Sequence, residues 1–197
     1  MAPDSLPEPV AVASNVADGL TRIGVSYVIG GSFASSVHGE PRSTNDIGMV
    51  ADLHNSDVDA FVDAIGGEFY VSREAVVEAV GKGAGFNVIH MPTALKVDIF
   101  VAGFDAFDHE RLRRRIPVSV SSGSVLLTLF VDTPEDTILR KLEWYRRGGE
   151  ASERQWRDVL GIIDAQSARL DRPYLREWAM KLDVSDLLER ALGTADR

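Results

Sequence analysis

Three features in the first hundred residues are of types that do chemistry together: the turn Gly30-Gly31-Ser32 after an apolar run, Asp46 opening a second run, and Asp98 inside the third, Leu-Lys-Val-Asp-Ile-Phe. A glycine turn that leads into a helix offers backbone N–H groups and a hydroxyl to phosphate oxygens. Carboxylates on neighbouring strands hold divalent cations, and in phosphoryl transfer such cations neutralise the phosphates and position the attacking oxygen. Two carboxylates at i and i+2 of one strand point to the same face. Here the run reads Asp46-Ile47-Gly48, so a glycine stands where the second of such a pair would be.

The elements around these residues follow from periodicity and punctuation. Residues 8 to 23 place Val10, Val12, Val16, Leu20 and Ile23 mostly at helical spacing, and Gly24 stops the helix. Val25 to Ile29 reads as a strand, Phe33 to His38 as a short helix ended by Gly39 and Pro41, and Asp46 to Val50 as the next strand. Asn55 is expected to cap a helix carrying Val58, Phe61, Val62 and Ile65 on one face. Glu68 to Val71 and Glu74 to Val80 read as a short strand and a helix, and Phe86 to His90 and Leu95 to Val101 as a hairpin turning at Met-Pro-Thr. On its second strand Leu95, Val97, Ile99 and Val101 share one face, leaving Lys96, Asp98 and Phe100 on the other. A carboxylate on such a strand is costly to bury without a partner, which favours a site at Asp98. Residues 116 to 131 read as two more strands around Ser-Ser-Gly.

From Thr133 the period changes from 2 to 3.6. Thr133 is a good N-cap, Pro134 suits the first helical position, and Glu135 and Asp136 suit the positive end of the dipole, giving a helix to Arg147 that Gly148-Gly149 ends. Ser152-Glu153-Arg154-Gln155 has the form of a capping box opening a helix with Trp156, Val159, Leu160 and Ile163 inside. Helices near 173–182 and 184–193 follow. In an antiparallel hairpin Lys141 and Asp158 lie at similar height, about two turns from the loop, where they can face one cleft or form an ion pair between helices. Trp144, Trp156 and Trp178 sit at core-like spacing, and His38 reads as structural. The fold class expected is α/β (α+β): a mixed-sheet core over residues 1–132 and a helical bundle over 133–197 packed on it.

Composition bounds the rest. The chain has 197 residues, 45% of them hydrophobic, enough for one sizeable core. There is no cysteine, so metal chemistry must use oxygen or imidazole, and a reducing compartment is consistent with this. No apolar run approaches the ~20 residues that span a bilayer, and the first ten residues lack a basic region, so a cytoplasmic location without membrane contact is expected. The net charge of −9 argues against a broadly basic nucleic-acid coat, although arginines and lysines crowd residues 111–157, including the run Arg-Leu-Arg-Arg-Arg at 111–115, a candidate for contact with an acceptor phosphate backbone.

The stretches GGSFASSVHGEPRSTNDIG, LKVDIF and EDTILRKLEWYRRGGEASERQWRDVLGII resemble the nucleotidyltransferases of the AbiEii type, within the polymerase-β-like superfamily, over nearly all of residues 25 to 165. The resemblance implies Mg²⁺- or Mn²⁺-dependent transfer of a nucleoside monophosphate from a nucleoside triphosphate such as ATP to a hydroxyl of an RNA end or a protein, in a component of a toxin–antitoxin pair with a cognate antitoxin as partner. It implies nucleotide binding by Gly30, Gly31, Ser32, Arg42 and Lys141, metal binding by Asp46 and Asp98, and catalytic roles for Asp46, Asp98 and Asp158. It also implies that Gly48 occupies the position of the second metal aspartate. A weakened or inactive transferase follows, or alternatively a degenerate nucleotide-binding or partner-binding module of the same fold.

Overall fold

The structure, a computed structural model, describes residues 8–42, 44, 46–122 and 125–195. The chain divides into two compact units, one of Met1–Gly30 with Thr44–Val131 and the other of Gly31–Ser43 with Asp132–Arg197. Residues 31–43 thus group with the helical part, although they interrupt the sheet-bearing part in sequence.

The first unit carries helix α1 (Glu8–Arg22), strands β1 (Tyr27–Ile29) and β2 (Ile47–Ala51), helix α3 (Val58–Ile65), strand β3 (Phe69–Tyr70), helix α4 (Arg73–Lys82), strands β4 (Gly85–His90) and β5 (Leu95–Val101), helix α5 (Ala106–Arg114) and strands β6 (Ile116–Ser122) and β7 (Val125–Val131). The strands form a mixed sheet of order β3-β4-β5-β2-β1-β7-β6. β2 runs parallel to β5 and β1 parallel to β7, while the remaining neighbours are antiparallel. Buried Val28, Val50, Ala102 and Leu112 cluster where α5 meets β1 and β2. Gly48 shares the face of Val50 by strand alternation, and its cross-strand partner in the parallel β2–β5 pair is Asp98. Asp98 therefore lies on the α5-bearing face, and Val97, Ile99 and Val101 are buried on the other.

The expected strands and helices of this unit are present with shifted ends, and three readings change. Asn55 does not cap α3: residues Asn55–Asp57 form a 3₁₀ turn with His54 at its N-cap position, and Asp57 precedes the α-helix without a side-chain cap bond. Asp46 lies one residue before β2 rather than inside it. Helix α5 has no apolar period to announce it, and it absorbs most of the basic run. Arg111 is buried against Asp108 at 2.7 Å, Arg113 holds Glu110 at 2.6 Å, and Arg115 caps the Leu112 carbonyl and lies 4.9 Å from the centre of the Phe130 ring. Arg111 is thus taken up by the fold, while Arg113 stays exposed in a pair on the helix surface. Part of the β6–β7 turn, including Gly123, lies outside the described residues.

The second unit is helical: α2 (Gly31–His38), α6 (Pro134–Arg147), α7 (Glu153–Gln166), α8 (Arg172–Lys181) and α9 (Ser185–Ala195). Thr133 accepts a bond from the Asp136 N–H at 3.1 Å and opens α6, as its sequence signature anticipates. Its core is built from Ile138, Leu139, Leu142, Val159, Ile162, Ile163, Leu187 and Leu188. Trp156 and Leu160 are only partly buried, and Trp144 is 47% exposed, so the expectation that it packs in the core is corrected. His38 is buried, with Nε2 at 2.6 Å from the Asp132 carbonyl, and burial pulls its pKa below the ordinary value, so the neutral ring holds α2 to the start of α6. Among the described residues no helix is long and apolar enough to cross a membrane.

Candidate functional site

Each unit holds its own set of the singled-out residues. In the sheet-bearing unit β1 leads into Gly30, whose N–H donates to the Gly48 carbonyl at 3.0 Å and so extends the β1–β2 ladder by one step. That amide is committed to the sheet and is unavailable to a phosphate. Across from Gly48, Asp98 is about one-third exposed, and its Oδ1 lies 3.5 Å from Nζ of Lys96, two residues back on the same face. A Cβ built on Gly48 meets nothing within 4 Å, so the position has room for an acidic side chain. Packing does not require a glycine there.

These observations test the carboxylates against a pair of divalent cations, and the fit fails. Of the three positions at which the resemblance expects a carboxylate, one is Gly48, Asp46 is exposed ahead of its strand, and Asp98 already faces a lysine ammonium. Among the described residues no group of three His, Cys, Asp or Glu side chains is placed to hold a metal ion.

The helical unit gathers the other residues closely. α6 and α7 form an antiparallel hairpin whose loop needs left-handed backbone at Gly149 and Glu150, with φ of 69° and 60°. The hairpin sets Nζ of Lys141 at 2.7 Å from Oδ2 of Asp158. This is not an exposed ion pair of negligible worth, because the two side chains are only 6% and 8% exposed. Arg42 closes on the same carboxylate as a fork, Nε to Oδ1 at 3.1 Å and Nη2 to Oδ2 at 2.9 Å, and Nη2 also donates to Oγ of Ser32 at 2.7 Å. Burial pushes the Asp158 carboxyl up, but the bonds from Arg42 and Lys141 outweigh it and hold the group below the usual carboxylate range. For Lys141 burial is the larger effect and lowers its pKa, against the pull of Asp158. Two buried-to-half-buried cations thus share one anion, leaving a net charge of +1.

Three positioning features were not visible from sequence spacing. Gln155 accepts from Lys141 at 3.0 Å, so only half of the anticipated capping box forms: Ser152 still receives the Gln155 N–H at 3.4 Å, while the Gln155 side chain turns to the lysine. Ser36 ties down the backbone of Arg42, accepting its N–H at 3.3 Å and sharing its one hydroxyl proton between the Arg42 carbonyl at 3.1 Å and the Ser32 carbonyl at 3.0 Å. Gly39 lets the chain after α2 lie against α7, since a Cβ there would stand 2.9 Å from the Ile162 nitrogen and 3.0 Å from the Gly161 carbonyl carbon. These are backbone atoms with no freedom to give way. Gly39→Ala should therefore lower stability by about 1–3 kcal/mol, as overpacking does, read as a reduced thermal midpoint. An unchanged midpoint would show that the 39–42 segment is not seated on α7.

Ser32, Arg42 and Lys141 line an open groove of about 640 Å³ together with residues 151–155. Ser152, Glu153 and Arg154 line it as well, so cationic and hydroxyl groups and one carboxylate converge on it. Ser32 Oγ accepts from Arg42, which leaves its own proton to be donated.

No protein-family model matches the sequence, and no curated protein matches it significantly. Among solved structures, the chain is similar to ANT(2'')-Ia in complex with adenylyl-2''-tobramycin at a TM-score of 0.55 and 12% identity, over 88% of this chain and 96% of that one. It is also similar to an antigenic nucleotidyltransferase-like protein from Paracoccidioides brasiliensis, with a TM-score of 0.49, 17% identity and coverage of 98% and 95%. A third is the lincosamide antibiotic adenylyltransferase LnuA, lincomycin-bound, at a TM-score of 0.46, 14% identity and coverage of 80% and 97%. Taken with the mixed seven-stranded sheet and its helices, the likeness to ANT(2'')-Ia shows that the chain has the nucleotidyltransferase fold.

Proposed function

We propose that this protein binds a nucleoside triphosphate, and that its reaction, where it turns over, is slow transfer of the nucleoside monophosphate to a hydroxyl with release of pyrophosphate. The observation that carries this reading is the Lys141–Asp158–Arg42–Ser32 cluster beside an open groove, in a chain of nucleotidyltransferase fold. Arg42 and Lys141 supply charge to the phosphates, Ser32 a hydroxyl donor, and Gly31 a turn that only glycine adopts readily, with φ of 62°, at the start of α2. Asp158 carries the negative charge that these two cations share when no ligand is bound. While it holds Arg42 and Lys141, its carboxyl stays below its ordinary pKa and is a weak proton acceptor. ANT(2'')-Ia, whose fold this chain shares, is in complex with adenylyl-2''-tobramycin, which agrees with the reaction class. The AbiEii resemblance puts RNA ends and protein hydroxyls first among acceptors and an antitoxin first among partners.

A second reading is favoured by Gly48 and Lys96 together. With one carboxylate position empty of a ligand and Asp98 facing an ammonium, the fold would serve as a nucleotide-binding module without turnover. Mg²⁺ or Mn²⁺ enters either reading only as the counter-ion that a triphosphate brings with it. Incubation with each nucleoside triphosphate and a panel of RNA, protein and small-molecule hydroxyls, read by pyrophosphate release, separates the two. Release above the uncatalysed rate supports the transferase, and binding without release supports the module.

A further inference from the structure

We propose that Asp158 is a resident counter-anion which an incoming polyphosphate must displace: it occupies the Arg42 fork and the Lys141 ammonium that the ligand then takes over. The inference rests on the nucleotide-binding reading above and concerns how that site is kept when no ligand is bound.

The donor geometry points this way. A guanidinium presents Nε and one Nη as a planar fork that suits either a carboxylate or two phosphate oxygens, and Asp158 fills that edge of Arg42 at 3.1 and 2.9 Å. Lys141 adds a third charge-assisted bond to the same carboxylate at 2.7 Å. A polyphosphate reaching these cations competes for donors that are already in use.

Each cation also has a second, neutral partner that stays when the carboxylate leaves. Lys141 is held by Gln155 at 3.0 Å, and Arg42 by Ser32 at 2.7 Å with its backbone tied to Ser36. A carboxylate needed permanently to position the cations would not require this duplicate set of anchors. The arrangement has one exchangeable anion and two fixed cations. It keeps Lys141 from being buried without a counter-charge and sets an affinity threshold, since a ligand must supply more negative charge than the single carboxylate it replaces.

Asp158→Asn tests this with inorganic tripolyphosphate and ATP as probes in calorimetry. The amide accepts only neutral-strength bonds, so the variant should bind tripolyphosphate about tenfold more tightly than the wild type, the scale of one charge-assisted bond. Glu153→Gln removes a carboxylate lining the same groove and should change affinity far less. Equal gains in the two variants would reduce the effect to general electrostatics and overturn the proposal. So would unchanged or weaker binding by Asp158→Asn, the result expected if Asp158 only positions the cations.

A measurement on the wild type guards against a misfolded variant. Carboxyl ¹³C NMR should show the titration midpoint of Asp158 rising when tripolyphosphate is bound, because the displaced carboxylate loses its cations and gains an anionic neighbour. An unchanged or lower midpoint means that it never left. If neither probe binds the wild type or either variant, the nucleotide-binding reading falls together with this one; binding by the wild type without the predicted changes removes the counter-anion alone.

Discussion

Gly48→Asp should raise nucleotidyl transfer by about 10²-fold or more, the effect of one preorganised electrostatic contact, and should tighten Mn²⁺ binding in parallel. Residue 48 is directly across the parallel pair from Asp98, on the same face, and a Cβ there meets nothing within 4 Å. The added carboxylate therefore joins Asp98 without displacing a neighbour. Gly48→Ala should give neither gain, because it adds volume and no charge. Lys96→Ala in the Gly48→Asp background should tighten Mn²⁺ binding further, since the ammonium 3.5 Å from Asp98 then no longer competes with the metal. A folded Gly48→Asp protein with no gain in metal affinity and none in transfer across the triphosphates and acceptors would mean that residue 48 is not the missing ligand position.

The second large effect is a loss. Lys141→Ala should weaken triphosphate binding about 10- to 100-fold, the worth of a hydrogen bond to a charged group. The fold should tolerate it, because Asp158 keeps both bonds from Arg42. Arg146→Ala removes a cation from the same helix that is already engaged by Asp186 and by Glu150 at 3.1 Å. It should leave binding nearly unchanged. Equal losses in the two variants would make Lys141 one surface cation among several, against its 6% side-chain exposure.

Local rules carried the reading of the α6–α7 hairpin. Thr133-Pro134, the double glycine and Ser152 each act within four residues, so start, stop and restart of the helices were legible, and the matched height of Lys141 and Asp158 followed from 1.5 Å of rise per residue. Lys96 and Asp98 on one face of β5 were legible for the same reason: alternation is a local property. What the sequence could not display was contact at long range. Arg42 and Asp158 are 116 residues apart and meet where Gly39 lets its segment lie against α7. The grouping of 31–43 with the helices depends on the same packing.

Other departures have local causes of a different kind. Gln155 satisfied a capping-box pattern, but a buried lysine offered its carbonyl oxygen a stronger partner than a helix-end amide. Gly30 looked free to serve a phosphate until the strand ladder claimed its N–H. Helix α5 buries Phe107 and Leu112 but also the Asp108–Arg111 pair, so polar residues occupy positions where a 3.6-residue period would show apolar ones. The strand order, with β2 between β5 and β1, is set by pairing between distant segments and has no signature in periodicity.

Calorimetric titration of the wild-type protein with each nucleoside triphosphate, in Mg²⁺ or Mn²⁺, tests the central claim most directly. The cluster of Arg42, Lys141 and Ser32 at the groove predicts saturable binding of at least one triphosphate at millimolar concentration or below, reduced in Lys141→Ala and retained in Arg146→Ala. Absence of binding by every triphosphate at millimolar concentration would contradict it.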